Sequence, residues 1–191
     1  ESGWFPEAVV NLVALLGWHP ADNKEVFSME ELIEEFSLDR VSKSGAKFDV
    51  EKAKWFNQHY LRMQSDATLA GIVKPLMQAD GINVSDELLA KVVAAQKERA
   101  LYPKDIYTEG KFFFIAPSGF DSELLQKKWK EGSTELVQQI IPVLESIDNF
   151  EAGTIESTLK KHLEENKIGI GSVMPLVRIL LTGGLSGPTV F

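Results

Sequence analysis

Apolar residues in the N-terminal part of the chain recur at the spacing of amphipathic helices. A first helix is predicted to begin at Pro6, which suits a first helical turn, and to end near Gly17. Ser28 followed by Glu31 has the sequence of a capping box and predicts a short helix that reaches about Phe36. These signals indicate helices joined by a loop rather than strands.

Asp49 is a favourable N-cap for a third helix, which is predicted to run to about Met63. One face of this helix is expected to be buried, and its members are Val50, Ala53, Phe56 and Tyr60. Two more periodic segments, residues 66–79 and 85–101, are separated by Asp80–Gly81, a pair typical of a helix end and turn. They predict a helical hairpin that Pro103 closes.

The run Phe112–Ile115 is short and apolar, and it is bounded by Gly110 and Pro117. Its length fits a buried turn or a strand, and we favour a buried turn because no partner strand is evident. Four further helical segments follow, at residues 121–131, 134–147, 154–165 and 172–181. The pattern therefore predicts an all-α protein of helical bundles in three regions: 1–63, 64–116 and 117–191.

Composition limits the kinds of site and segment that the chain can contain. With 191 residues and 44% hydrophobic residues, the chain can bury a core. It has no cysteine, and its three histidines lie far apart in sequence, so we expect neither disulfides nor a metal site. Its apolar runs are much shorter than the roughly 20 residues of a membrane span. A cytoplasmic protein without a membrane partner is expected.

The net charge of −8 argues against a simple nucleic-acid binder, because Lys and Arg usually neutralise the phosphates. The charge is unevenly distributed, however. Between Arg40 and Lys54 lie five basic residues and two acidic ones, and the basic members are Arg40, Lys43, Lys47, Lys52 and Lys54. This basic strip is compatible with RNA, and equally with a solvated helix face.

Several stretches resemble bacterial glutamyl-tRNA synthetases. The strongest is Gly3–Pro20, and others are Phe27–Leu32, Arg40–Ser44, Lys54–Asn57, Pro175–Arg178 and Leu181–Gly183. The resemblance implies an enzyme that activates glutamate with ATP and Mg²⁺ and esterifies it to tRNA. The Rossmann-type catalytic domain of that family is expected before residue 1, with none of it in this chain, so catalytic residues and cofactors are expected to be absent and the segment inactive alone.

The resemblance also assigns the three regions. Residues 1–63 would contact the tRNA stem, and residues 64–116 and 117–191 would form two helical anticodon-binding subdomains, the second truncated at its C-terminus. The expected partner is glutamate tRNA, bound by a monomer with no affinity for DNA.

Four positions match anticodon-binding residues of the family: Arg99, Arg178, Gly187 and Val190. A guanidinium offers a rigid donor fork for unpaired bases. Arg99 could instead pair with a carboxylate or cap helix carbonyls. Arg178 is the only charge in the apolar stretch 168–181, where it would either extend to solvent or face a ligand. Gly187 has no side-chain donor, so it would contribute its backbone.

Arg40, Lys43 and Lys47 are candidate contacts to the tRNA backbone. The stretch Arg40–Ser44 also resembles the ATP-site signature of the family. We reject an ATP site here, because the signature of the family lies upstream of the Gly3–Pro20 stretch and needs a nucleotide-binding sheet. Lys43 could equally be a solvated loop residue.

The tryptophans are expected to be core residues rather than base-stacking platforms; they are Trp4, Trp18, Trp55 and Trp129. Two other function classes are alternatives to RNA recognition. A helical protein-interaction scaffold without RNA specificity would suit the acidic surface and stays open. A self-contained hydrolase or transferase is disfavoured, because no catalytic constellation with a recognisable spacing is present.

Overall fold

A computed structural model describes residues 3–43 and 45–191, so Glu1, Ser2 and Ser44, the last residue of the Arg40–Ser44 stretch, lie outside the described residues. Within these ranges the protein is all-α, as predicted, and contains no strand; one isolated antiparallel bridge joins Trp18 and Val41. No helix among the described residues is long and apolar enough to cross a membrane. The chain forms two compact units, Glu1–Gly110 and Lys111–Phe191.

The described residues of the first unit form six α-helices. They are α1 (Pro6–Gly17), α2 (Met29–Glu35), α3 (Val50–Met63), α4 (Asp66–Ala79), α5 (Asp86–Gln96) and α6 (Pro103–Thr108). Both predicted caps are confirmed: Ser28 and Glu31 make the two bonds of a capping box, and the Asp49 carboxylate accepts hydrogen bonds from the amides of Glu51 and Lys52. Local sequence therefore determines where α2 and α3 begin.

The core of the first unit includes two asparagines as well as apolar side chains. Helix α1 packs on α3, and α4 packs on α5 and α6. Asn11 and Asn57 are both fully buried. The Asn57 side chain accepts a hydrogen bond from Phe5 N at 2.8 Å and donates one to Leu101 O at 2.6 Å. It thereby joins α3 to the N-terminal segment and to the turn after α5.

The second helix of the hairpin is shorter than predicted. It ends at Gln96 rather than Leu101. Beyond Gln96, backbone carbonyls bond side chains of α3 instead of continuing the helix: Asn57 donates to Leu101 O, and Arg62 donates to Glu98 O. Pro103 does not merely close this helix. It begins α6, whose start is fixed by the Asp105 carboxylate accepting from the amides of residues 101 and 102.

Burial in the first unit differs from the prediction at two residues, Val50 and Trp55. Ala53, Phe56 and Tyr60 are buried as predicted, whereas Val50, in the first turn of α3, is 53% exposed. Among the tryptophans, Trp18 is a core residue as expected, packed with Phe27 and Leu32 in a small cluster. Trp55 is 44% exposed, so the core assignment is wrong for this residue.

The second unit contains four α-helices, close to the predicted ranges: α7 (Ser122–Lys128), α8 (Ser133–Glu145), α9 (Ala152–Glu165) and α10 (Ile170–Thr182). Helix α8 packs on α9 and α10 around a core formed by Ile140, Leu159, Leu163 and Val173. Helix α7 ends three residues before the predicted Glu131, where Gly132 turns the chain at a φ of 82°. Such a positive φ favours glycine.

The run Phe112–Ile115 contains a 3₁₀ turn over Lys111–Phe113, so the choice of a turn over a strand is confirmed. The expected burial is not. Phe113 is 37% exposed and Ile115 is 45% exposed. An apolar run without a periodic continuation has too few neighbours in sequence to indicate which side it buries.

Candidate nucleic-acid interface

Arg178 lies on α10, half-buried, with its guanidinium beside the C-terminal segment. Its Nη1 is 3.5 Å from Ser186 O. The side chain lines an open cleft of about 510 Å³, together with Glu156, Met174, Pro175, Leu185, Thr189, Val190 and Phe191. The cleft therefore combines one guanidinium and one carboxylate with apolar walls.

Gly187 is part of the same arrangement. Its φ of 120° is one that L side chains rarely adopt. A Cβ at this position would lie 3.2 Å from Phe112 Cζ and 3.4 Å from Arg178 Nη1, so the backbone passes close to both side chains. The structure thus brings together three of the four positions matched by resemblance: Arg178, Gly187 and Val190.

The end of α10 shapes the segment that carries Gly187. Gly183 ends the helix with a left-handed φ of 76°, and the Thr182 hydroxyl lies within hydrogen-bond distance of Arg178 O, Gly184 O and Gly184 N. A Cβ on Gly183 would lie 3.1 Å from Gly119 O. The chain therefore turns sharply after α10 and returns past Arg178.

Sequence reasoning missed two members of this site. The Phe112 ring was assigned to a buried turn, yet it lies against Gly187. Glu156 on α9 lines the cleft and forms an ion pair with Lys160 at 2.6 Å. Neither could be found from local sequence, because Phe112 and Glu156 reach the other site residues from segments that are distant along the chain. The aromatic run Phe112–Phe114 was the signal that the sequence offered.

Arg99 belongs to the first unit and lies in the turn after α5, three residues beyond the helix end. Its amide donates to Gln96 O at 3.0 Å, and its side chain is exposed. The turn is held from α3 by Asn57, which donates to Leu101 O, and by Arg62, which forms an ion pair with Glu98 at 3.2 Å. Arg99 is thus presented from a turn with a fixed backbone.

Two lysines of the basic strip between Arg40 and Lys54 are paired with carboxylates in the structure. Lys52 forms an ion pair with Glu25 at 2.6 Å, and Lys54 forms one with Glu51 at 2.7 Å. Lys43 and Lys47 are exposed and have no ion pair within the described residues. They are the two lysines of the strip that can contact a phosphate without first leaving a carboxylate.

Arg40 is engaged inside the first unit. Its Nη2 donates to Glu35 O at 2.9 Å, and its guanidinium lies 5.6 Å from the ring centre of Trp18. The backbone nearby is also fixed, because His19 N donates to Arg40 O and Ser42 N donates to Gly17 O. These contacts anchor the segment that carries Lys43.

Comparison with known proteins places this arrangement in a family. The anticodon-binding domain family matches residues 52–191, a range that contains Arg99, the Arg178 cleft and all of the second unit. The chain belongs to the anticodon-binding domain family. Its all-α fold agrees with the fold class predicted from the sequence.

Relatives of this chain are glutamate–tRNA ligases, which confirms the resemblance found in its sequence. Those of Christiangramia forsetii and Flavobacterium johnsoniae are 44% and 46% identical over all 191 residues. A crystal structure of the Elizabethkingia meningosepticum ligase in complex with its amino acid is 44% identical, with a TM-score of 0.92 over 98% of this chain. The chain spans 38% of the length of the two curated relatives.

A second family corrects one expectation. The catalytic domain of class I tRNA synthetases for glutamate and glutamine matches residues 1–55. The expectation that no part of this domain family is present was therefore wrong for α1, α2 and the start of α3. The two matches overlap at residues 52–55, within α3.

Proposed function

We propose that this chain recognises glutamate tRNA as the tRNA-binding part of a glutamyl-tRNA synthetase. The longer enzyme would activate glutamate with ATP and Mg²⁺ and ligate it to the tRNA. One observation carries the proposal: Arg178 and Val190 line one cleft and Gly187 lies beside Arg178, all within the region matched by the anticodon-binding domain family. Alone, the chain would bind tRNA as a cytoplasmic monomer, without affinity for DNA and without catalysing ligation.

Each of the three regions would contact a different part of the tRNA. Residues 1–63 would contact the tRNA stem through phosphates, using Lys43 and Lys47 with Arg40 as the anchor behind them. Residues 64–116 would present Arg99 to one anticodon base, and residues 117–191 would hold another base in the Arg178 cleft. Phosphate contacts fix the position of an RNA, and base contacts read its sequence.

The Arg178 cleft suits an unpaired base better than a phosphate. Its guanidinium can donate to the acceptors of a base edge, and Glu156 can accept from an exocyclic amino group. Met174, Leu185 and Val190 supply apolar surface for the face of the base. The lining holds one guanidinium and one ion-paired carboxylate rather than a cluster of cations, so its charge pattern favours a base edge over a phosphate.

Arg99 would distinguish the glutamate anticodon from that of glutamine, whose third anticodon base is G rather than C. A donor fork satisfies the acceptors on a cytosine edge but meets donors on guanine, and unpaired buried groups cost free energy. A good base-reading contact contributes about 1–3 kcal/mol. That range corresponds to about ten- to a hundredfold in affinity.

The test measures binding of labelled glutamate and glutamine tRNAs to the chain and to two variants. Arg178→Gln should weaken glutamate tRNA binding about tenfold or more. Arg99→Gln should lower the preference for glutamate tRNA over glutamine tRNA, and Lys104→Gln, a nearby exposed lysine, is its control. Equal binding of tRNA and a DNA duplex by the wild-type chain would refute the proposed function, and an unchanged tRNA preference in Arg99→Gln would refute the role of Arg99.

A further inference from the structure

A second pocket of the second unit lies between α7 and α10, outside the site described above. It has a volume of about 470 Å³ and is lined by Phe120, Leu125, Gln126, Trp129 and Leu180. Phe120 is 44% exposed, and Leu180 is 37% exposed. The Trp129 ring is half-buried and held in place, because its Nε1 donates to Thr134 Oγ1 at 3.2 Å. Two aromatic side chains thus face an open, mainly apolar space.

This pocket is separate from the Arg178 cleft although both use α10. Leu180 and Arg178 are two residues apart, which places them about 200° apart around the helix. Arg178 lines the cleft toward the C-terminal segment, and Leu180 lines the pocket toward α7. A ligand in one site therefore leaves the other open.

Two lysines flank the pocket. Lys128 ends α7, three residues after Leu125, so the two side chains are neighbours on the helix surface. Lys130 follows Trp129, and its Nζ donates to the backbone oxygen of Gln126, a lining residue, at 2.9 Å. Both lysines are exposed and form no ion pair within the described residues, whereas on α9 Lys160 and Lys161 both contact carboxylates. In a chain of net charge −8, two such lysines beside one pocket favour an anionic ligand.

We infer that this α7–α10 pocket holds one unpaired nucleotide of the bound tRNA. Its base stacks on Trp129 and Phe120, and its flanking phosphates contact Lys128 and Lys130. Aromatic faces beside a positive rim are the combination that binds single-stranded RNA without sequence preference. An acidic peptide with an apolar anchor has similar chemistry, but the pocket lies inside the anticodon-binding match, which favours RNA. The inference rests on the proposed function.

The test compares binding of labelled glutamate tRNA across a salt series. Trp129→Leu should weaken binding roughly tenfold, and Trp129→Phe should restore most of it, because phenylalanine keeps a stacking face. Lys128→Gln with Lys130→Gln should flatten the dependence of log K on log salt by about 1.4, the value for two single-strand phosphate contacts. Lys161→Gln with Lys167→Gln removes the same charge from the second unit and should leave the slope unchanged.

Each result decides the question. If Arg178→Gln weakens binding and the pocket variants do not, the inference is overturned while the proposed function stands. If the wild-type chain does not bind tRNA, both fail. Both lysines are exposed, so their substitution tests the pocket even if Trp129→Leu unfolds part of α7. Unchanged tRNA binding in the lysine variant, combined with lost binding of a leucine-containing acidic peptide, would assign the pocket to a protein instead.

Discussion

The Tyr60 hydroxyl lies 2.7 Å from the side-chain oxygen of Asn11, and both residues are buried in the first unit. The hydroxyl is also 2.7 Å from Phe27 O, and the same Asn11 oxygen accepts from Phe27 N at 2.8 Å. Asn11 Nδ2 donates to Glu25 O at 2.9 Å. One asparagine and one tyrosine thus satisfy the backbone of the loop between α1 and α2.

Removal of this network should destabilise the chain in graded steps. Tyr60→Phe should lower the free energy of unfolding by about 1–2 kcal/mol, since it leaves a buried acceptor without its donor. Asn11→Ala should cost more, because it leaves Phe27 N and Glu25 O without the partners that this side chain supplies. Urea unfolding followed by tryptophan fluorescence measures both. Tyr102→Phe is the control, and an equal loss in the control would show that the buried bonds are not the cause.

High pH should act on the same tyrosine. Burial raises the pKa of Tyr60 above 10.0, because it disfavours the phenolate. The pKa of Tyr107 is also raised, by its hydrogen bond to the Asp80 carboxylate. Both groups hold their protons more tightly in the folded chain, so their stabilising contribution is intact below pH 10 and is lost as the pH rises beyond it.

Urea unfolding measured from about pH 9 to about pH 11 tests this expectation, because the range brackets the ordinary tyrosine pKa. The free energy of unfolding should fall across the range in the wild-type chain and fall less steeply in Tyr60→Phe. Parallel curves for the two proteins would show that Tyr60 titrates normally in the folded state.

The lysines of the basic strip provide a prediction about RNA binding. Lys43→Gln with Lys47→Gln should weaken binding of all tRNAs to a similar extent, because phosphates carry no sequence information. The slope of log K against log salt should become shallower by about 1.4–1.8 for two lost contacts. Lys91→Gln with Lys74→Gln is a matched control, since these exposed lysines already pair with carboxylates. An unchanged slope would identify Lys43 and Lys47 as solvated surface residues.

Local sequence predicted the helices well because their signals are local. The Ser28 capping box, the Asp49 cap and the position of Pro6 each depend on neighbours within one turn, and all three are confirmed. The early end of α5 depends instead on Asn57, which lies 44 residues before its partner Leu101. No periodic pattern contains that contact, so the turn that carries Arg99 could not be predicted.

The candidate site shows the same difference between what the sequence indicates and what long-range contacts decide. Arg178, Gly187 and Val190 were predicted by resemblance; in the structure Arg178 and Val190 line one cleft, and Gly187 lies beside Arg178. The contact of Phe112 with Gly187 depends on how the start of the second unit folds against its end. The apolar run around Phe112 was visible in the sequence, but its neighbours were not, and exposure is a property of neighbours.

Gly187 allows the geometry of this cleft to be tested without changing a charge. In Gly187→Ala, the new Cβ meets Phe112 Cζ and Arg178 Nη1, and the φ of 120° becomes strained, which costs on the order of 1–3 kcal/mol. The strain falls on the C-terminal segment rather than on the helical core, so helix content measured by circular dichroism should be unchanged. Affinity for glutamate tRNA should fall, because Arg178 must move from its position beside the segment.

Gly184→Ala is the matched control, since its Cβ would have no neighbour within 4 Å and its φ is not positive. It should bind tRNA like the wild-type chain. A double variant, Gly187→Ala with Arg178→Gln, tests the mechanism, because residues that act through one contact have effects that do not add. We expect the double variant to bind about as weakly as Arg178→Gln alone. Fully additive losses would mean that Gly187 contacts the RNA independently of Arg178, through its own backbone.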